Sequence, residues 1–374
     1  MRLFVLLALP LVACAANPFA EMEEVATQHL GAAVVADETE PDPGVTTWEF
    51  DVASGPQCIR GGPFRASVRP SDSSEDLVIF LQGGGACWSD FCLAIENAPA
   101  GVPDLDVLDP TLAGNPVADW DVVYAPYCDG SLFAGEADWD DDGDGEIDRI
   151  HRGLRNLSAT LDMAASFFPR PRRILLAGSS GGGYGTILAT VMVRFVYPNA
   201  ELLVFNDSGV GVLKDEEPWF MTRLIDEWDA WELIPPSCEG CIDSGHLTSM
   251  VGWELERDTE LKVSVFSSYA DAIIADTFLQ IGEEGFRDPL VREATRLHER
   301  YPDRYMPFLV EGAMHTTLLG SVSGIIAVPE GQDSSWDNFV ELGGLDSTSL
   351  NGVTVGDWMT AMIDGDPAWG PMIE

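Results

Sequence analysis

The chain has 374 residues, 46% of them hydrophobic, and its 62 acidic against 20 basic side chains give a formal net charge of -42 at pH 7. That length supports one large core, and no break in composition after about residue 50 divides it, so one elaborate domain is expected. The surplus of acid excludes nucleic acid as a partner, which needs a basic footprint, and disfavours a polyanionic substrate, because like charges repel on approach at low salt.

In chain order, the opening "MRLFVLLALPLVACAANPFAE" places Arg2 before an apolar run over 3–12 and then small residues, the pattern of an export signal and too short to span a bilayer. "LVAC" is similar to the lipobox of bacterial lipoproteins, in which cleavage before Cys14 leaves that cysteine to be lipidated. Ala13 and Ala15 alternatively fit the small-x-small site of a plain secreted protein, but the lipoprotein reading is the favoured one. Both readings put the protein outside the cytoplasm, either lipid-anchored to the cell envelope or secreted, with a membrane touched only through the anchor. Residues 1–14 are read as the signal and 15–47, rich in acid and proline ("ADETEPDPGVTT"), as a flexible tether. The catalytic domain is then 48–374.

The remaining six cysteines, an even number in an exported chain, read as disulfides. Cys87 with Cys92 and Cys238 with Cys241 are close enough for local loops, leaving Cys58 with Cys128 as a long-range staple; other connectivities stay open. A zinc reading of Cys238 and Cys241 lacks a second ligand pair.

Short apolar runs over 77–81, 121–125, 173–177, 202–206, 262–266 and 307–311 are bounded by polar or turn residues, as strands of a sheet covered on both faces require. Helix-period segments fall over 150–168 and 187–195. The alternation predicts an α/β fold, a three-layer sandwich with a mainly parallel central sheet and functional loops at the carboxyl ends of its strands. Between the second and third strands, "DWDDDGDGEIDR" sets Asp140, Asp142, Asp144 and Glu146 at positions 1, 3, 5 and 7 of a calcium loop, with Gly145 at 6. Position 12 is His151 rather than a bidentate glutamate, so a structural calcium site and a solvated acidic loop are both open.

"LLAGSSGGGYGTILA" sets Gly178-Ser179-Ser180-Gly181-Gly182, a G-x-S-x-G, between a strand and a helix. The chain must turn there in so little space that residues two before and two after Ser180 carry no side chain, and the Gly181 amide points toward a developing oxyanion. A phosphate loop would need a lysine after the glycines, and a dinucleotide loop a different glycine spacing; neither is present. "FLQGGGACW" supplies a second set of close-approaching amides at Gly83, Gly84 and Gly85 directly after the 77–81 strand.

These motifs, with "YAPYCDGSLFAG", "IHRGLRNL", "FNDSG", "FSSYADAII" and a late histidine, resemble the pectin acetylesterase and Notum carboxylesterase family over most of 48–369. The resemblance implies an α/β-hydrolase fold and Ser-Asp-His hydrolysis of esters, often acetyl groups on polysaccharide, with no cofactor required. It makes Ser180 the nucleophile and puts Gly84, Gly85 and Gly181 at the oxyanion hole. Where Notum has a bulky aromatic after its second loop glycine, this chain has Gly85. In this fold the acid and then the base follow the serine. Of the three later histidines, His298 sits in a charged helical stretch and His246 in a cysteine-bounded loop, which leaves His315, just past the 307–311 strand. Asp271 matches the family's strand-then-aspartate pattern, with Asp207 the runner-up and Asp276 a third option. The expected partner is an acylated glycan or a small ester. The rival readings are a surface lipoprotein that binds glycan in the same cleft without turnover, and a serine peptidase.

Overall fold

A computed structural model describes residues 17–320 and 341–374. The segment read as an export signal, Cys14 included, lies outside the described residues. Ten strands form one sheet: β1 (Val35–Asp42), β2 (Val45–Phe50), β3 (Arg65–Arg69), β4 (Asp76–Leu81), β5 (Asp121–Ala125), β6 (Arg173–Ser179), β7 (Glu201–Asp207), β8 (Lys262–Ser268), β9 (Tyr305–Val310) and β10 (Met372–Ile373). Across the sheet they run β1-β2-β3-β5-β4-β6-β7-β8-β9-β10. From β5 across to β10 every neighbouring pair is parallel, and β1 to β3 add an antiparallel flank. The six strands expected from sequence are all present, with ends within two residues of those expected.

Each central strand is apolar throughout because it is covered twice. Leu77, Ile79 and Leu81 of β4, Ile174 and Leu176 of β6, and Leu202 and Val204 of β7 point into one core. Their alternates Val78, Phe80, Leu175, Ala177, Leu203 and Phe205 point into the other. Helices α1 (Glu23–Thr27), α2 (Gly153–Phe167), α3 (Gly181–Val196), α4 (Trp219–Trp228), α5 (Thr248–Arg257) and α6 (Gly282–Arg300) cover the first face. The second is covered by α7 (Val355–Asp364) and by the loop around 102–120. There Trp358 meets Phe205 and Phe308 edge-on, with ring centroids 5.8 and 5.3 Å apart. This is the α/β-hydrolase-like sandwich expected, with one outer layer reduced to a single helix and loops.

The acidic flank corrects one expectation: residues 17–47 do not form a loose tether. Phe19 is fully buried, stacked on Trp253 at 5.3 Å, and Met22 and Val25 of the short helical segment that follows are buried with it. β1 then pairs with β2 along the rim of the sheet. Its sequence, VADETEPD, is exposed along nearly its whole length. Acids and a proline are what an edge strand carries to stop further strands adding to it, so disorder-like composition here marks an edge.

The six cysteines pair as Cys58–Cys128, Cys87–Cys92 and Cys238–Cys241. Among the described residues no helix is long and apolar enough to cross a membrane.

Candidate active site

β6 ends at Ser179 and α3 begins at Gly181, so Ser180 makes the whole turn, at φ 55 and ψ -121. A residue with a side chain is strained there by ~1–3 kcal/mol, and such strain persists only where the surroundings impose it. Here they do. A Cβ on Gly182 would lie 2.0 Å from the Leu81 carbonyl oxygen, and one on Gly178 would lie 2.3 Å from that of Gly182. The Ser180 N–H donates to the Asp207 carbonyl at 2.7 Å, and the Ser180 carbonyl accepts from the Tyr184 N–H at 3.1 Å. The serine itself is 9% exposed and opens onto a pocket.

Two strands further along the sheet, Asp271 and His315 meet beyond the ends of β8 and β9. His315 Nδ1 lies 2.9 Å from both Asp271 oxygens, with the acid fully buried and the imidazole 3% exposed. Asp271 Oδ1 also accepts from the Ile273 and Ile274 amides, at 3.0 and 2.9 Å, as it caps a π-helical turn over Ala272–Phe278. The two loops are joined by backbone bonds from Tyr269 to Val310, Ala270 to Gly312 and Ala272 to Ala313. An acid so held orients the ring with Nδ1–H toward itself and leaves Nε2 to accept a proton. Both hydrogen bonds of the ring run to Asp271, and none joins it to Ser180 Oγ among the described residues. Such contacts are often loose in a ligand-free site and tighten with substrate.

What brings the serine corner and the histidine loop together is Asp207, the runner-up acid from sequence. Its carboxylate receives the Thr317 and Leu318 amides, the latter at 3.0 Å, and the Ser179 hydroxyl at 2.7 Å. One fully buried residue thus holds the Ser180 backbone with its carbonyl and the chain after His315 with its side chain. Burial pushes the Asp207 carboxyl up to about 6, against the pull of those donors. Asp207 touches the histidine loop but not the imidazole; that contact belongs to Asp271.

The glycine loop after β4 packs directly on the elbow, where a Cβ on Gly83 would fall 2.4 Å from the Ser179 carbonyl oxygen. The chain then forms a hairpin, Gly85–Trp88 with Phe91–Ala94, closed by Cys87–Cys92. Trp228, the last residue of α4, donates its indole N–H to the Cys87 carbonyl at 2.8 Å and so ties that helix to the glycine loop. The resulting pocket lies beside Ser180 and Gly181, with Trp88, Leu132, Phe220, Leu224, Trp228 and Ile274 among its walls. Sequence reasoning missed α4 as a wall. Phe220, Leu224 and Trp228 recur every fourth residue, a stripe indistinguishable in sequence from ordinary core.

The other candidates lie elsewhere. His246 is buried, accepting from the Leu213 amide and pairing with Asp215 at 3.2 Å. His298 is half-buried, its Nδ1–H bonded to the Tyr305 carbonyl, rather than free at the surface. Asp276 is exposed. The calcium ligand set does not assemble as its spacing suggests: Asp140, Asp142 and Asp148 come together, without Asp144 or Glu146. Asp140 instead accepts from the Gly143, Asp144 and Gly145 amides, and Asp144 from the Glu146 amide. His151 at position 12 is fully buried against the Asp129 carbonyl, and burial lowers its pKa to about 4.

The pectinacetylesterase family model matches residues 44–227, a span that contains the glycine loop, the elbow and all of α4 except Trp228. Over that span the chain is similar to the pectinacetylesterase family. The match supports a carboxylic ester hydrolase, and for that family the substrate is acetylated polysaccharide. The match ends before Asp271 and His315, whose pairing is seen in the fold alone. No curated protein matches the chain.

Proposed function

We propose that the protein is an exported serine carboxylesterase using Ser180, His315 and Asp271. Ser180 Oγ attacks the ester carbonyl while His315 Nε2 takes its proton, and Asp271 stabilises the imidazolium. The amides of Gly84, Gly85 and Gly181 hold the oxyanion. Collapse of the tetrahedral adduct breaks the ester C–O bond, the alcohol leaves with the proton from His315, and water then releases the acid by the same steps in reverse. No cofactor takes part. The observation that carries this reading is a buried Asp–His pair at the same sheet edge as a serine held at a strained turn over a pocket. Three disulfides fit an oxidising compartment. Lipidation of Cys14 is the form of anchorage we favour.

The substrate proposed is an acylated glycan, acetylated in the first instance. A net charge of -42 favours a neutral or highly esterified chain over bare polygalacturonate. A fluorophosphonate probe followed by mass spectrometry is expected to label Ser180, and p-nitrophenyl acetate to give a burst that Ser180→Ala loses, with turnover down about 10⁴-fold or more. Labelling of another residue, or turnover by Ser180→Ala, would overturn the assignment; absence of any label would favour glycan binding without catalysis. A second reading of the acyl group rests on the pocket: its walls are aliphatic and aromatic, which suits a longer chain.

A further inference from the structure

Next to the pocket at Ser180 lies a second apolar chamber, lined by Ile187 and Leu188 of α3, Met221 and Ile225 of α4, and Leu233 and Met250 beyond them. The two spaces share five walls: Leu132, Tyr184, Leu213, Leu224 and Trp228. Two of these are tethered by their polar atoms, Tyr184 through its hydroxyl to the Val212 carbonyl and Trp228 through its indole to the Cys87 carbonyl. Leu132 is held differently. It and Phe133 are consecutive non-glycine residues at φ 57 and 63, a conformation that costs each ~1–2 kcal/mol. Nothing in the turn requires a leucine there, since a glycine would adopt the same backbone without strain.

The strain is imposed from both ends of the turn. The Leu132 N–H donates to the Tyr127 hydroxyl at 3.0 Å. Ser131 is locked by Asp129, which accepts from its amide and its hydroxyl, and the Ser131 hydroxyl in turn accepts from the Gly135 amide. Phe133 is fully buried against Tyr127, with ring centroids 5.3 Å apart. The outcome is a leucine side chain projected over the catalytic corner, its Cδ2 at 3.4 Å from where a Gly181 Cβ would stand. A strained residue at a ligand pocket, fixed by a fully buried network, points to a role for its side chain.

We propose that Leu132 sets the acyl-length limit of the enzyme: its side chain, held over the catalytic corner, is the part of the shared wall nearest Gly181, and the second chamber takes the terminal methylenes of acyl chains that pass it. This rests on the proposed esterase chemistry at Ser180. The occupant is an unbranched acyl chain because both spaces are apolar and the first opens at the serine and Gly181, where the acyl carbon is bound.

The test is the kcat/KM of the full chain on p-nitrophenyl esters from acetate to decanoate, for the wild type, Leu132→Ala and Leu132→Trp. The expected result is a decanoate-to-acetate ratio raised about tenfold or more in Leu132→Ala and lowered in Leu132→Trp, since each methylene buried contributes about fourfold. Leu224→Ala opens the same wall from α4 without touching the strained turn and is expected to raise the ratio as well. Thermal melts confirm that each variant folds. Folded variants with an unchanged ratio would overturn the proposal while leaving the esterase reading intact. So would a gain that follows the alcohol chain of alkyl acetates and not the acyl chain. Failure of the wild type to hydrolyse any ester or to take a fluorophosphonate at Ser180 would overturn both.

Discussion

A Cβ on Gly182, inside the elbow, would stand 2.0 Å from a carbonyl oxygen, whereas one on Gly143, at the tip of the acidic loop, would meet nothing within 4 Å. The elbow is fixed by its neighbours: β4 beneath it, β7 beside it and the glycine loop on top. The tip of the acidic loop, 140–146, is fixed by itself, its aspartates folded back onto its own amides. Where packing dictates the backbone, a side chain is delivered to one place whatever its own preferences. Where a loop answers only to local hydrogen bonds, its carboxylates satisfy those bonds first and are not aimed at a common centre.

If the crowded corner is the catalytic one, its largest break comes from the acid. Asp271→Asn keeps the shape and the Ile273 and Ile274 amide bonds but presents the imidazole with the wrong tautomer, so kcat is expected to fall about 10⁴-fold with little change in KM. A loss under tenfold would return Asp207 to contention. Backbone substitutions give the next contrast. Gly182→Ala drives a methyl into Leu81 and is expected to cost more than about 4 kcal/mol, or folding altogether. Gly143→Ala, with open space but φ +76, is expected to cost about 1 kcal/mol. Denaturant unfolding of the two measures the difference between the regions directly.

The buried carboxylate that joins the two halves of the site gives a smaller, pH-dependent signal. Asp207 titrates near 6 in the folded protein against 3.8 unfolded. The folded state therefore holds its proton more tightly, so this residue's contribution is greatest below pH 4 and is lost as the pH rises to 6, by about 3 kcal/mol in all. Asp207→Asn removes that slope. The melting temperature of the wild type relative to the variant is expected to fall between pH 4 and 7, and a constant offset would show that Asp207 does not titrate in this window.

Much of this architecture was legible because double burial leaves so plain a trace: the strand runs over 77–81, 173–177 and 202–206 are continuous apolar segments for that reason. The serine turn is legible because only glycine fits beside it. The acid is not legible from residue types. Asp207 and Asp271 both follow strands at the same edge, and which one faces the imidazole is decided by how two loops zip together, so that expectation leaned on family resemblance. The left-handed pair Leu132 and Phe133 leaves no trace at all, since nothing in a leucine announces a positive φ. The edge strand β1 misleads, because the acids that protect an edge also compose a disordered tail.

Calcium gives the smallest expected effect and the finest distinction between the two regions. Single oxygens of Asp140, Asp142 and Asp148 lie within 4.8 Å of one another. A calcium loop, however, needs six or more oxygens and a closing bidentate carboxylate, and here His151 stands buried in that place. Neutralising the cluster by screening alone would act alike for any divalent cation. Calcium and magnesium at equal ionic strength are therefore expected to move the melting temperature by the same amount, within about 1 °C. A rise of several degrees specific to calcium, abolished by Asp142→Asn, would mean that the loop reorganises around an ion its own hydrogen bonds now exclude; the contrast with the elbow would then lie in what each region binds and not in how firmly its backbone is held.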